Sequence, residues 1–206
     1  MPIPDTPLLR IGLIRSLQLA DYFLRNDPSV REALGQNVRL KLADTFRAYE
    51  VQKYAYEVYW PKALKNNHPD WTEEQILEYL PKCCAKPKDY PTPTPHQTGG
   101  AVDIQLWGLD GKRIDLGYKK EIKDSAFPDA YESSNNAILE LLDSETIRQI
   151  KIARRVLSFA MEEVGGMTVN PYEIWHFDLG NPLWGYVTEE RPYYGLPSIP
   201  DWYKIG

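Results

Sequence analysis

His96-Gln97-Thr98-Gly99-Gly100-Ala101-Val102-Asp103-Ile104-Gln105-Leu106 joins a turn to a strand and places candidate metal ligands at the join. From Ala101 to Leu106 apolar and polar residues alternate, which predicts a strand. Gly99-Gly100 tolerates backbone angles that branched residues do not, so the chain can fold His96 back toward Asp103. Upstream, the Pro-rich run from Lys86 to Pro95 excludes regular helix and reads as an extended lead-in that delivers His96. Downstream, Asp110-Gly111 signals a hairpin turn into Arg113 to Leu116.

Further out, Val38 to Ala43 alternates as a strand with one face buried, and Arg47 follows directly. Arg15 to Leu34 predicts two short helices, broken near Asn26-Asp27-Pro28. Glu50 to Leu64 reads as helix, with Tyr54, Tyr56, Tyr59 and Trp60 as packing residues. A further helix over Glu73 to Leu80 is capped by Asp70 or Thr72. The clearest helix spans Ser144 to Val164, with Ser144 as its cap and Gly165-Gly166 as its stop. Met167 to Phe177 returns to strand character, and the tail after Asn181 has no period. The pattern predicts one α+β domain over 1–206, a small, mostly antiparallel sheet with helices packed on one side.

Glu173-Ile174-Trp175-His176 carries an ExxH pattern, so two of the three histidines sit in two ligand-like motifs. A catalytic zinc takes three protein ligands and keeps a further position for water. His96, Asp103 and His176 would supply those ligands for one Zn2+ per chain, leaving Glu173 as a base for the water. Glu173 and His176 are three apart, and on a regular strand they would face opposite ways. The pattern therefore demands a bulge or bend. ExxH alone is a weak signal and HxxGxAxD a more specific one. His68, in Asn66-Asn67-His68-Pro69, reads as an ordinary histidine, and Trp175 as packing that holds His176.

A chain of 206 residues that is 43% hydrophobic can bury a sizeable core. A net charge of −5, with basic residues spread along the chain, gives no electrostatic case for nucleic acid or an anionic membrane. No stretch approaches the roughly 20 apolar residues that span a bilayer. Cys83 and Cys84 are adjacent, which disfavours an ordinary disulfide between them. With no secretory signal visible at the start, a cytoplasmic location is the expectation, or a periplasmic one if a leader has been removed.

These residues resemble the D-alanyl-D-alanine dipeptidase family, zinc enzymes known from vancomycin resistance within a wider zinc D,D-peptidase group. The similarity runs from about Val38 to Trp184. It implies His96, Asp103 and His176 as zinc ligands and Glu173 as the catalytic base. Leu42-Ala43-Asp44-Thr45-Phe46-Arg47 is similar to the family segment whose arginine stabilises the developing oxyanion, which implies that role for Arg47. Thr94 falls where the family commonly has a Ser that contacts the substrate carboxylate. Asp110 to Gly117 looks like the family's hairpin, and Glu121 lies nearest to the carboxylate that binds the substrate's free amine, commonly an Asp. Ile174 stands where the second motif often has Trp. The resemblance implies hydrolysis of D-Ala-D-Ala or a related small D,D-dipeptide. The alternatives are a D-alanyl-D-alanine carboxypeptidase acting on longer cell-wall peptides and a non-catalytic metal-binding module. Oligomeric state is left open.

Overall fold

A computed structural model describes residues 8–87, 93–118, 125–132 and 141–198. Its centre is a four-stranded antiparallel sheet in the order β1-β2-β4-β3. The strands are β1 (Val38–Asp44), β2 (Ala101–Gly108), β3 (Thr168–Asn170) and β4 (Glu173–Asp178). Val102, Ile104 and Leu106 of β2 are buried together with Phe177 of β4, because side chains of a strand alternate between faces.

Against that face lie helix α1 (Ile11–Asn26) and helix α6 (Ser144–Ser158), the latter continued by a π-helical turn, Phe159–Val164. Leu13, Leu17, Ala20 and Leu24 of α1 recur at helical spacing and meet Ala153, Leu157, Ala160 and Met161 in the same core. These two helices therefore pack on one side, and Asp103 and Gln105 point from β2 to the opposite, less covered face.

Helix α2 (Pro28–Leu34) follows α1 after the break at Asp27, whose side chain accepts from Ser29 N. Helix α3 (Tyr49–Tyr54) passes through a π-helical turn (Ala55–Tyr59) into α4 (Trp60–Asn67). Pro61 comes one residue after that turn, and a widened turn accommodates a ring that would clash in a regular one. Helix α5 (Glu73–Cys83) starts with a capping box between Thr72 and Gln75, as its sequence predicts, and extends past Leu80 through Pro81. Leu64, Ile76 and Leu80 give α4 and α5 a small core of their own.

Three local expectations change. The cap of α6 is Asp143, which accepts from Thr146 N at 2.9 Å, while Ser144 is the first helical residue. In β1 only Val38 is fully buried and Leu42 is exposed, because β1 is the edge strand and the helices cover it incompletely. Residues 167–177 form a hairpin of two strands, with a turn at Pro171-Tyr172. The Asp110-Gly111 hairpin does form, with Ile114 N donating to Leu106 O at 2.8 Å and one bridge between Trp107 and Arg113. Helix α7 (Pro182–Thr188) then leads into a tail whose Tyr193 and Tyr194 amides both donate to Gly180 O. Among the described residues no helix is long and apolar enough to cross a membrane.

Candidate metal centre

Thr94 begins a short 3-10 turn, Pro95–Thr98, closed by a reciprocal box in which Gln97 Oε1 accepts from Thr94 N and Oγ1. Gly99 ends the turn at φ 70°, a left-handed conformation suited to glycine. A Cβ on Gly100 would lie 2.6 Å from Leu179 O, so the second glycine is needed for close approach to the chain after β4. His96 is therefore held in a turn with little freedom. Its Nδ1 donates to Thr45 O at 2.7 Å, while its own carbonyl accepts from Arg47 N at 3.1 Å. That double clamp leaves Nε2 facing Asp103 Oδ1 at 3.5 Å.

Asp103 lies across the sheet from His176, its pairing partner on β4. His176 Nδ1 is 3.0 Å from Asp103 Oδ1, and Nε2 donates to Asp178 Oδ1 at 3.1 Å. Candidate ligand atoms of His96, Asp103 and His176 all lie within 4.8 Å of one another. The two imidazole rings stand nearly perpendicular, at 89°. Sequence motifs 70 residues apart along the chain have converged, as the strand pairing of β2 with β4 requires.

Glu173 completes the cluster through an irregularity in β4. Asn170 pairs with Glu173 and the adjacent Val169 pairs with Phe177, so Ile174, Trp175 and His176 form the expected bulge. The bulge brings Glu173 Oε2 to 3.7 Å from His176 Nδ1, although strand alternation alone would separate them. Trp175 packs edge-on against Tyr118 beyond the bulge, with ring centroids 4.7 Å apart. Arg47 stands on the other side. Its Nε and Nη2 grip Asp44 Oδ2, Nη1 donates to Gln52 Oε1 at 3.1 Å, and Nη2 is 4.0 Å from Asp103 Oδ2.

The electrostatics call for a cation. Burial raises the pKa of Asp103, but hydrogen bonds from His176 and His96 outweigh it and hold the carboxyl far below its usual range. Burial opposes charge on His176, yet the Asp178 carboxylate, with hydrogen bonds to Asp103 and Asp178, raises its pKa well above the ordinary imidazole value. Burial also raises the Glu173 carboxyl, with His176 pulling it partly back. Carboxylates thus outnumber cations here, and the proton they draw onto His176 Nδ1 marks a position that a divalent ion can fill. With His96 Nδ1 and His176 Nε2 already bonded, one nitrogen of each ring and the Asp103 carboxylate remain as donors. That donor set fits zinc.

No protein-family model matches the chain. A D-alanyl-D-alanine dipeptidase of Synechocystis sp. (strain ATCC 27184 / PCC 6803 / Kazusa) is 28% identical over 227 residues, spanning 93% of this chain and 90% of that relative. The chain is thus similar to a D-alanyl-D-alanine dipeptidase along nearly the whole length of both proteins. With that likeness and the His96, Asp103 and His176 cluster, the chain is an enzyme, a metallopeptidase. Among solved structures, a mutant of the vancomycin resistance D,D-pentapeptidase VanY from a VanB-type cassette, in complex with Zn(II), is 18% identical. That likeness covers 86% of this chain and 76% of that one, with a TM-score of 0.41.

The structure brings His96, Asp103, His176, Glu173 and Arg47 together. Thr94 is buried, with its hydroxyl donating to Gln97 Oε1 at 2.8 Å. Glu121 lies outside the described residues. Two supporting residues escaped the sequence reading. Asp178 orients His176, and Asn181 donates to Asp178 Oδ1 and Gly100 O while capping α7 through Leu183 N and Trp184 N. A carboxylate two positions after a strand histidine shares its face, and that spacing was the available signal for Asp178.

Proposed function

We propose that this enzyme is a zinc-dependent dipeptidase that hydrolyses D-Ala-D-Ala or a closely related D,D-dipeptide. The observation that carries the proposal is the meeting of three metal-type donors with a half-buried glutamate on one side and a charged arginine on the other. His96 Nε2, the Asp103 carboxylate and His176 Nδ1 would hold the ion. Bound there, zinc supplies Lewis-acid chemistry, making a water more acidic and a peptide carbonyl more electrophilic.

The chain's own residues do the rest. Glu173, pushed upward in pKa by burial, accepts the proton of the attacking water and returns it to the leaving amine. Arg47 keeps its charge beside Asp44 and donates to the oxygen on which negative charge develops, a contribution of about 3 kcal/mol for such a donor. Asp178 fixes the ring of His176 so that Nδ1 faces the ligand cluster. By family resemblance Thr94 contacts the substrate carboxylate, which requires its hydroxyl to turn from Gln97, and Glu121 binds the free amine.

The test compares release of D-Ala by the zinc-loaded protein from D-Ala-D-Ala, its N-acetylated form, and L,D- and L,L-dipeptides. Hydrolysis of free D-Ala-D-Ala with rejection of the acetylated compound is the expected result. Preference for the acetylated compound would point to a carboxypeptidase on longer peptides instead. No release from any of them would leave a metal-binding module without catalysis.

A further inference from the structure

We infer that Gln52 is a positioning residue for Arg47, locking the guanidinium in the plane from which it meets the reacting oxygen. The inference rests on the dipeptidase reading and on the role assigned there to Arg47. Gln52 sits on α3 and is 1% exposed, although a neutral amide gains nothing from burial unless its polar atoms are paired. All its polar atoms are paired. Oε1 accepts from Arg47 Nη1 at 3.1 Å, and Nε2 donates to Ala85 O at 2.6 Å and to Cys84 Sγ at 3.3 Å.

Asp44 and Gln52 divide the work on the arginine. Asp44 Oδ2 takes Nε and one Nη2 proton on one edge, which fixes direction but leaves the fork free to pivot about that single oxygen. Gln52 Oε1 takes a proton from Nη1, and two contacts on different edges stop the pivot. The second Nη1 proton is then left for substrate. Because Gln52 Nε2 is anchored to the chain just past α5, the arginine is referenced to the α3–α5 subunit of the fold as well as to the sheet. Arg47 N on His96 O fixes the backbone at the same point, so only the side chain needs this second support.

The experiment measures kcat and KM for D-Ala-D-Ala with zinc-loaded wild type, Gln52→Met, Gln52→Glu, Arg47→Ala, and Gln52→Met in the Arg47→Ala background. Gln52→Met keeps the shape and removes both polar ends, and kcat falls about ten- to a hundredfold with KM within about twofold. In the Arg47→Ala background the same change costs less than about twofold, because the group it positions is gone. Gln52→Glu keeps an acceptor for Arg47 but turns an oxygen toward Ala85 O, so it recovers part of the kcat that Gln52→Met loses. Equal losses in both backgrounds, wild-type kcat in Gln52→Met, or a Gln52→Glu variant no better than Gln52→Met would each overturn the proposal. If Gln52→Met does not fold, Gln52→Glu is measured in the wild-type and Arg47→Ala backgrounds, and equal losses in both would overturn the proposal. A zinc-loaded wild type inactive on every D,D-dipeptide would overturn the dipeptidase reading and this inference with it.

Discussion

Glu173 occupies an unusual position for a carboxylate, half-buried beside His176 and Asp103 and raised in pKa by that burial. Glu173→Gln should retain stoichiometric zinc while kcat falls at least about a hundredfold, the lower end of what a positioned acid–base group contributes. Metal analysis alongside turnover checks it, and loss of zinc in the variant would make Glu173 a ligand instead. Asn181 tests the support behind the ligands. It is fully buried, caps α7 and holds Asp178 against His176, so Asn181→Ala should cost about 2–3 kcal/mol of stability in urea unfolding. The same variant should bind zinc about tenfold more weakly, because the outer contact that orients His176 is loosened. Unchanged zinc affinity would confine Asn181 to capping. The cluster of candidate ligands was legible in sequence because rigid spacing within each motif encodes it. Gln52, Asp178 and Asn181 were less so, since an ordinary amide or carboxylate becomes informative only when its partner, distant in the chain, is known.

At the level of elements, helices with strong local signals came out as their residues predict. Thr72 with Gln75, and the break at Asp27-Pro28, are short-range chemistry. The π-helical turns are different, because widening a turn shifts hydrogen bonding without changing which residues are apolar. The bulge in β4 is intermediate: its existence followed from the ExxH spacing, but its register depends on β3, which the sequence merged with β4. The turn at the end of α6 supplies a pH prediction. Glu162 is raised in pKa by burial and accepts from Val169 N at 3.3 Å. A carboxyl with a raised folded-state pKa binds its proton more tightly when folded. Stability therefore falls as pH rises from the ordinary glutamate value through the raised one, and the loss is complete above it. Glu162→Gln keeps an acceptor for Val169 and removes the charge. Its Tm should exceed wild type at pH 7 and match it below about pH 4. A variant less stable than wild type at both pH values would contradict this.

For the whole molecule, the α+β arrangement with helices on one face follows from amphipathic periods, but the strand order β1-β2-β4-β3 does not. Order and register are set by long-range pairing, which the buried face constrains only after the chain has folded. That order matters functionally, since it places Asp103 beside His176 and, through β1, Asp44 beside Asp103. The metal centre thus ties β2 and β4 to the turn before β2, and zinc bound to the folded state should stabilise the whole fold. At a free zinc concentration a hundred times Kd the gain is about 2.7 kcal/mol. A chelator should lower Tm in wild type and leave His176→Ala unmoved. Equal shifts in both would place the stabilising ion elsewhere.

The most direct measurement is anomalous diffraction at the zinc edge from crystals grown with zinc. A single peak is expected about 2.0–2.2 Å from His96 Nε2, an Asp103 oxygen and His176 Nδ1, with Asp178 still on His176 Nε2. Zinc located away from these three side chains, or His176 turned so that Nε2 is the ligand, would contradict the account.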